Sequence, residues 1–402
     1  MKTLYICYFG LREPLVQTQV LPYLRELNKG GIEVYLLTFE PKQPKGWTPE
    51  EIEEWRARLR DEGIRWFSLP YHKRPSAPAT LYDIAAGARF AARLARREQI
   101  DVLHARAHVP VAMAMLARRL GARCRLVFDI RGLMAEEYAD AGIWAENSQP
   151  FRAVKRVESA GIRSADQLVV LTRKFRDWLV EQRLKAAEQI EVIPCCVDFS
   201  LFGETKPEGG PPPHADRFEV IYAGSVTGLY LLEEMARFFL EVRKCRADAY
   251  LRILTTSSRT EAERLLARAG LSAEDYGVGA VGPAEVPHYL ERARLGLSFR
   301  KPTFSQIAAS PTKIPEYLAA GLPVVCNAGI GDTDELLAGE KVGVVLSAFD
   351  DESYREAARA ALHLAEDLRV RDRSRRVARA SFDLAEVGGV GYRNVYRRIE
   401  EE

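Results

Sequence analysis

The chain has 402 residues, of which 47% are hydrophobic and 28% are charged. This balance is typical of soluble globular proteins and excludes disordered and collagen-like chains. Lys and Arg number 58 against 56 Asp and Glu, and so small a basic excess argues against a nucleic-acid-binding protein. At about 100–200 residues per domain, the length predicts two or three domains.

The six cysteines show no CxxC spacing, and Cys195 and Cys196 are adjacent. This pattern is typical of free thiols in a reducing compartment. The apolar run after Met1 is broken at Gly10, which makes it too short for a signal sequence. No run approaches the roughly 18 apolar residues that a membrane span needs. We therefore expect a cytoplasmic protein.

Short apolar runs alternate with amphipathic segments through the first half of the chain. The pattern predicts strands at 4–9, 32–38, 101–104, 125–129, 167–171 and 190–194. It predicts helices at 20–27, 80–98, 109–120, 151–164 and 173–183. Strands that alternate with helices indicate a parallel sheet covered on both faces.

Residues 203–216 are rich in Gly and Pro and are predicted to form a linker. The alternation then restarts, with strands predicted at 218–223, 249–254, 277–281, 295–299, 323–326 and 343–346. Helices are predicted at 229–243, 260–269, 284–292, up to about 320, 352–382 and 384–400. The chain is thus predicted to hold two α/β halves. Because ligands of such sheets bind at the carboxyl ends of the strands, we expect the site in a cleft between the halves.

Several polar or small residues of the first half follow strands. Gly10 follows the first strand, where a glycine permits close approach of a ligand to the backbone. His108 follows the strand that ends at His104, and Asp129 and Arg131 lie where the next strand ends. We expect His108, Asp129 and Arg131 to orient a ligand. The alternative is a salt bridge that fastens the loop.

The segment SPTKIPEYLAAGLPVV, which begins at Ser310, predicts a helix whose start faces the cleft. If Thr312 is the N-cap, Pro315 is the third helical residue, whose N–H is not needed. Thr312 is therefore preferred to Ser310 as the N-cap. Free amides at a helix start, with cations nearby, favour a diphosphate. The cations are Arg300, Lys301 and Lys313. The alternative is a capped structural helix.

Two further features of the second half bear on ligands. Glu316 lies about one turn into that helix, where it could accept hydrogen bonds from ribose hydroxyls. Gly224 follows the first strand of the half and is a second candidate for ligand contact. Asp332 and Asp334 form a DxD, but one such match is expected by chance, and no metal site is assigned.

Four segments resemble landmarks of the family 4 glycosyltransferases of GT-B fold. They are ADQLVVLTRKF, IEVIPCCVDFSLF, VIYAGS and SPTKIPEYLAAGLPVV, in that order along the chain. VFDIRG and PTFS are similar to segments of a bacterial subgroup that builds surface polysaccharides. The resemblance covers nearly the whole chain. It implies two Rossmann-like domains that face each other across a cleft, and transfer with retention and without an essential metal.

The resemblance also assigns roles to residues and domains. It implies an acceptor domain at 1–200, a nucleotide-sugar domain at 201–383, and a final helix at 384–402 that crosses back to the first domain. Glu316 matches the second Glu of the family's E-x7-E motif, whereas Ala308 stands in place of the first. The family's Arg and Lys that hold the diphosphate would fall near Ser225 and Tyr230. Arg300, Lys301 or Lys313 could supply that charge.

Together these features predict a glycosyltransferase that moves a sugar from a nucleotide diphosphosugar to a saccharide or lipid-linked acceptor, with no tightly bound cofactor. A nucleotide-sugar 2-epimerase and a non-catalytic carbohydrate-binding protein of the same fold are the alternatives. Arg and Lys cluster at 89–97 and 118–125. If the acceptor is lipid-linked, these clusters could dock peripherally on anionic lipid at the inner face of the membrane; solvated helix faces are the alternative.

Overall fold

The computed structural model of the protein describes residues 1–41, 46–72, 74, 76–202 and 217–401. The chain divides into two compact units. The first consists of Met1–Glu136, Trp144–Pro194 and Leu384–Glu402, and the second of Glu137–Ile143 and Cys195–Asp383. The main chain therefore passes between units at 136/137, 143/144, 194/195 and 383/384, whereas the sequence predicted domain borders at 200/201 and 383/384. The predicted linker at 203–216 lies outside the described residues.

The first unit contains a sheet of seven parallel strands in the order β3-β2-β1-β4-β5-β6-β7. Its strands are β1 (Lys2–Cys7), β2 (Glu33–Pro41), β3 (Ile64–Tyr71), β4 (Val102–Arg106), β5 (Arg125–Asp129), β6 (Gln167–Val170) and β7 (Ile190–Val192). The helices in this part of the chain are α1 (Pro14–Gln19), α2 (Leu21–Lys29), α3 (Pro49–Asp61), α4 (Ser76–Glu98), α5 (His108–Arg119), α6 (Met134–Asp140), α7 (Gln149–Ser164) and α8 (Arg173–Glu181).

The second unit contains a sheet of six parallel strands in the order β10-β9-β8-β11-β12-β13. Its strands are β8 (Phe218–Ala223), β9 (Ala249–Leu254), β10 (Tyr276–Gly279), β11 (Leu295–Ser298), β12 (Val324–Asn327) and β13 (Gly343–Leu346). Its helices are α9 (Leu232–Cys245), α10 (Arg259–Arg268), α11 (Val286–Arg292), α12 (Lys313–Ala319), α13 (Thr333–Gly339), α14 (Asp351–Glu366) and α15 (Val370–Phe382). The predicted fold class, α/β with two Rossmann-like sheets, is confirmed.

Several predictions about elements were wrong: helix α3 was not predicted, and two further differences have a clear cause. No strand was predicted at β3, because this edge strand exposes Arg65 beside buried Ile64 and Trp66 and so lacks a continuous apolar run. A single helix was predicted at 352–382, whereas α14 and α15 are separate. Asp367 separates them, and its side chain accepts hydrogen bonds from the Arg369 amide (2.9 Å) and the Arg373 guanidinium (2.9 Å).

The last helix, α16 (Val390–Glu401), follows a π-helical segment at Leu384–Gly389 and packs within the first unit. The Tyr396 hydroxyl lies 2.7 Å from the Thr3 hydroxyl and 2.9 Å from Nδ1 of His104. The Tyr392 hydroxyl donates to the Asp129 carboxylate (2.8 Å). The end of the chain therefore completes the core around the strands at its beginning.

Candidate functional site

In the second unit, two of the predicted ligand residues lie against the ring of Tyr230, and a third, Gly224, lies against Lys313. The Lys313 ammonium lies 4.0 Å above the ring centroid and the Arg300 guanidinium lies 4.7 Å from it. Gly224 has a φ of +148°, and a Cβ built on it would lie 3.2 Å from Cε of Lys313. These residues follow β8 and β11 or begin α12, so they meet at the carboxyl edge of the sheet. The structure thus brings together Gly224, Arg300 and Lys313.

The two cations of this cluster are buried without a counter-ion. Lys313 is 3% exposed and Arg300 is 8% exposed. Among the residues that the structure describes, no carboxylate lies within 4 Å of either; Arg300 Nε donates instead to Oε1 of Gln306 (2.7 Å). Burial lowers the pKa of Lys313, since an unpaired charge in a low-dielectric site is costly. An anion that contacts both side chains would remove much of that cost.

Tyr230 is the central residue of the cluster, and the sequence analysis had identified it only as a departure from the family pattern. The Lys313 charge, opposed by burial, holds the pKa of the Tyr230 phenol below its usual range. Tyr230 and Arg300 are also joined by an antiparallel β-bridge. The pairing of two chain segments some 70 residues apart is not visible in the sequence, so Tyr230 could not have been assigned to this cluster beforehand.

Helix α12 begins at the residue that was predicted from the position of Pro315. Thr312 is the N-cap of α12, and Pro315 is the third helical residue. However, the Thr312 side chain accepts no capping hydrogen bond and its backbone is itself helical. The Ser310 hydroxyl accepts a hydrogen bond from the Cys195 amide (3.1 Å). Ser310 therefore holds the segment after β7, and a role in ligand binding stays a prediction for both hydroxyls.

Glu316 is half-buried on the first turn of α12. Within the described part of the chain its carboxylate makes no hydrogen bond or ion pair. Burial raises its pKa to about 7, although the Lys313 charge opposes this rise. A carboxyl without a protein partner that titrates near neutrality is suited to accept hydrogen bonds from a ligand.

Lys301 was predicted to lie with Arg300 and Lys313 at a diphosphate site, but its ammonium binds elsewhere. Its ammonium donates to the carbonyl of Asp140 (3.0 Å), and the Thr303 hydroxyl donates to the Asp140 carboxylate (2.6 Å). The neighbouring cations Arg300 and Lys301 thus have different roles. Arg300 belongs to the Tyr230 cluster, whereas Lys301 binds the carbonyl of the last residue of α6.

In the first unit, Asp129 is fully buried, and its predicted contact with a ligand stays a prediction. Its carboxylate accepts hydrogen bonds from Tyr392 and Tyr5 and lies within 3.5 Å of the Arg106 and Arg131 guanidinium groups. Burial alone would raise the pKa of Asp129, but these cations hold it well below its usual range. Asp129 and Arg131 therefore form the structural ion pair that was the alternative.

His108 is also buried, at the first position of α5, and its predicted contact with a ligand stays a prediction. Its Nε2 lies 2.9 Å from the Glu158 carboxylate, which also pairs with Lys155. The preceding residue, Ala107, has φ +68° and ψ −173°, a conformation that essentially only glycine adopts without strain. The turn that carries His108 is therefore strained, and His108 acts inside the unit.

Gly10 follows β1 as predicted and packs against a buried carboxylate that the sequence analysis did not identify. A Cβ built on Gly10 would lie 2.8 Å from Oε2 of Glu40. Glu40 accepts hydrogen bonds from the Leu11 amide (2.9 Å) and the Trp47 indole (2.7 Å). The glycine therefore permits close approach of the Glu40 side chain, and its contact with a ligand stays a prediction.

Residues 16–196 match the family model described as Glycosyl transferase 4-like domain. No curated protein sequence matches the chain. Three solved structures resemble it over 100% of its length. They are sucrose-phosphate synthase from Thermosynechococcus elongatus (15% identity, 99% of that chain, TM-score 0.73), a glycosyltransferase from Rickettsia africae (14%, 99%, 0.69), and Anabaena HepE in complex with UDP and glucose (15%, 98%, 0.67).

The family match is confined to residues 16–196, which are less than half of the chain. The chain as a whole has the fold of the GT-B glycosyltransferases that it resembles in structure, so the predicted resemblance is confirmed. The comparisons therefore establish the fold, and they establish a likeness of the first part of the chain to a glycosyltransferase domain. The Tyr230 cluster lies beyond the matched residues, and its chemistry rests on the geometry described above.

Two absences concern the described residues only. No helix among them is both long and apolar enough to cross a membrane. No group of three or more His, Cys, Asp or Glu among them is placed to hold a metal ion. In the DxD segment, the Asp334 carboxylate accepts hydrogen bonds from the Gly329 and Glu335 amides (3.1 and 3.0 Å).

Proposed function

We propose that this glycosyltransferase transfers a sugar, with retention, from a nucleotide diphosphosugar to a saccharide or lipid-linked acceptor. The observation that carries the proposal is the buried, unpaired cation pair of Lys313 and Arg300 beside Tyr230. A diphosphate supplies the missing negative charge. HepE, one of the structural neighbours, binds UDP and glucose, which supports a nucleotide sugar as the donor.

The chemistry needs positive charge at the place where the diphosphate leaves. The bond between the anomeric carbon and the β-phosphate oxygen breaks, and the nucleoside diphosphate leaves with the electron pair. The acceptor hydroxyl bonds to the anomeric carbon, and its proton passes to the departing phosphate oxygen. Lys313 and Arg300 would stabilise the charge that develops on that oxygen, because fixed cations in a dry site need little reorganisation.

Glu316 would hold the nucleoside part of the donor. Its carboxylate has no protein partner in the described chain and lies on the same helix as Lys313, so it could accept hydrogen bonds from two ribose hydroxyls.

A peripheral contact with anionic lipid stays a prediction. Two arginines of the 118–125 cluster, Arg118 and Arg125, share Asp166 as a partner (3.5 and 3.1 Å), and this pairing reduces the charge available to lipid.

The test is calorimetric titration with a nucleoside and its diphosphate, beginning with uridine and UDP. We expect Lys313→Ala to weaken UDP binding about tenfold or more and to leave uridine binding nearly unchanged, because its charge meets phosphate. We expect Glu316→Gln to weaken both ligands, because charged hydrogen bonds contribute roughly 1.5–3 kcal/mol each and tenfold in affinity is about 1.4 kcal/mol.

Lys301→Ala is the matched control, since it removes the same charge from a lysine held by the Asp140 carbonyl. UDP binding that is equal in the wild type, Lys313→Ala and Lys301→Ala would contradict the proposed site. If the wild type binds no nucleotide in a panel of uridine, guanosine and adenosine diphosphates, the proposed function fails.

The two alternatives make different products. A 2-epimerase returns the nucleotide sugar with an inverted carbon, and a binding protein returns it unchanged. A transferase slowly releases free sugar and nucleoside diphosphate when water replaces the acceptor. Chromatography of a UDP-sugar incubated with the protein separates the three.

A further inference from the structure

A second polar centre lies in the first unit, at the carboxyl edge of its sheet. His72 directly follows β3, and Tyr8 directly follows β1. Both contact Asp83, which lies on α4 and is 1% exposed. In parallel sheets this edge is where ligands bind. No sequence motif links these residues, because they come from three separate parts of the chain.

The Asp83 carboxylate accepts three hydrogen bonds. The Oδ1 atom lies 2.6 Å from Nδ1 of His72, and Oδ2 accepts from the His72 amide (3.0 Å) and the Tyr8 hydroxyl (2.7 Å). Burial and the Asp83 contact raise the pKa of Tyr8, so the phenol stays a donor. Since a carboxylate only accepts hydrogen bonds, the network places a proton on Nδ1 of His72.

The other ring nitrogen of His72 is then left as a hydrogen-bond acceptor. The side chain is 27% exposed, and in the described part of the chain Nε2 has no partner. A buried carboxylate that fixes the tautomer of an accessible imidazole is an arrangement that prepares the free nitrogen for a hydroxyl.

An exposed aromatic ring stands next to the His72 ring. Tyr82 is 62% exposed, and its ring meets that of His72 edge-to-face with centroids 5.0 Å apart. The preceding Leu81 is 66% exposed. Exposed apolar side chains in a group mark binding surfaces. A pyranose has an apolar face of C–H groups that packs on an aromatic ring and a rim of hydroxyls that bond to a polar group.

We propose that His72, Tyr82 and Asp83 form a saccharide-binding site in the first unit, in which Nε2 of His72 accepts a hydrogen bond from a sugar hydroxyl, Tyr82 packs on the sugar, and Asp83 is a positioning residue. The site rests on the proposed function in one respect, namely that its saccharide is the acceptor. The donor residues Lys313 and Glu316 belong to the second unit, so the two sites are testable separately.

Substitution of Asp83 by asparagine gives a readout that a merely structural role would not produce. Two donors, the His72 amide and the Tyr8 hydroxyl, hold the side-chain oxygen at the Oδ2 position. The amide NH2 of Asp83→Asn is then directed at Nδ1 of His72, which must become the acceptor. The proton therefore moves to Nε2, and the nitrogen that faced the sugar becomes a donor.

The first measurement is nitrogen-15 NMR of the histidine rings of the full chain at mildly alkaline pH, with His72 assigned from the spectrum of His72→Gln. We expect the wild type to carry its proton on Nδ1 and Asp83→Asn to carry it on Nε2. Asp83→Glu keeps the carboxylate and is expected to restore the wild-type tautomer. A wild-type proton on Nε2, or no change in Asp83→Asn, would overturn the role of Asp83.

The second measurement is saturation-transfer NMR with the methyl glycosides of glucose, galactose, mannose, N-acetylglucosamine and rhamnose. We expect at least one to bind the wild type, and His72→Ala and Tyr82→Ala each to weaken it about fivefold or more. His288→Ala and Leu120→Ala, which change a histidine and an exposed leucine elsewhere, are the controls. The site is overturned if no glycoside binds, or if these controls weaken binding as much.

The two proposals fail in different ways. If UDP binding is unaffected by His72→Ala while saccharide binding is lost, both proposals are supported. If no nucleoside diphosphate binds but a glycoside still depends on His72 and Tyr82, the donor proposal fails and the saccharide site stands. If UDP binds and the glycosides bind independently of His72, the site is overturned and the proposed function is not.

Discussion

At the scale of single residues, the buried charged side chains of the two units differ in whether the protein supplies an opposite charge. Lys313 and Arg300 are buried without a carboxylate among the described residues, whereas buried Asp129 is surrounded by Arg106, Arg131 and two tyrosine hydroxyls. The Asp129 group is already satisfied by the protein. The cations beside Tyr230 still lack an opposite charge, and this difference separates a ligand site from a structural ion pair.

Glu316 gives a pH dependence at the residue scale. Its pKa of about 7 means that the carboxyl is largely protonated below pH 7 and ionised above it. Because ribose hydroxyls donate best to the ionised form, we expect affinity for uridine to rise with pH through 7 and binding near pH 7 to release a proton. Titration in buffers of different ionisation enthalpy measures that release.

Glu316→Gln is the control for this pH dependence, since its amide does not titrate. Uridine affinity should then be flat across the same pH range. A pH profile that is identical in wild type and Glu316→Gln would assign the titration to another group.

At the scale of elements, the strands and helices follow from local patterns, while their contacts do not. Thr312 and Pro315 fix the start of α12 by chain-local geometry, and the structure places the helix there. By contrast, the strand end that carries Asp129 is covered by α16, which follows about 260 residues later. A strand end predicted to face a ligand is therefore closed by an element from the far end of the chain.

The contact between α16 and β5 predicts a stability effect confined to the first unit. Asp129→Asn leaves buried Arg106 and the partly buried Arg131 without a full counter-charge, and we expect the free energy of unfolding to fall by about 3–5 kcal/mol. Tyr392→Phe removes one hydrogen bond to a charged group and should cost about 1.5–3 kcal/mol. All five tryptophans lie at or before Trp178, within the first unit, so tryptophan fluorescence during urea unfolding reports on that unit.

Tyr35→Phe is the matched control for this experiment. Its hydroxyl also donates to a carboxylate, that of Glu33 (2.8 Å), but the Glu33 side chain is 37% exposed whereas Asp129 is fully buried. We expect a change below about 1 kcal/mol for it. Equal effects of Tyr392→Phe and Tyr35→Phe would show that the α16 contact does not stabilise the first unit.

At the scale of the whole molecule, the two units have separate cores, and the end of the chain belongs to the first. Residues after Asp383 return to the unit that begins at Met1. The second unit has its own buried clusters around Phe238 and Tyr317. Loss of the final segment should therefore affect the units unequally.

Truncation after Asp383 tests this organisation. It removes several large buried side chains, among them Tyr392, Val395, Tyr396 and Ile399, and burial of each contributes roughly 1.5–3 kcal/mol. We expect hydrogen exchange in β1, β4 and β5 to accelerate strongly and exchange in β8, β9 and β11 to change little, as mass spectrometry of peptides would measure. Equal acceleration in both sheets would contradict separate cores.

The sequence by itself determined the α/β class, the two sheets, most strand positions and the start of α12, because these depend on apolar periodicity and turn chemistry within short segments. It also identified Lys313, Arg300 and Glu316 as candidate ligand residues, because residues at strand ends and helix starts are close in sequence to the elements that place them. Only the tertiary structure decided that Asp129 and His108 are buried, that Lys301 binds the Asp140 carbonyl, and that Tyr230 and Asp83 organise polar centres. The physical reason is that burial and partner choice depend on elements that are distant along the chain, and no local pattern records which of them will pack over a strand end.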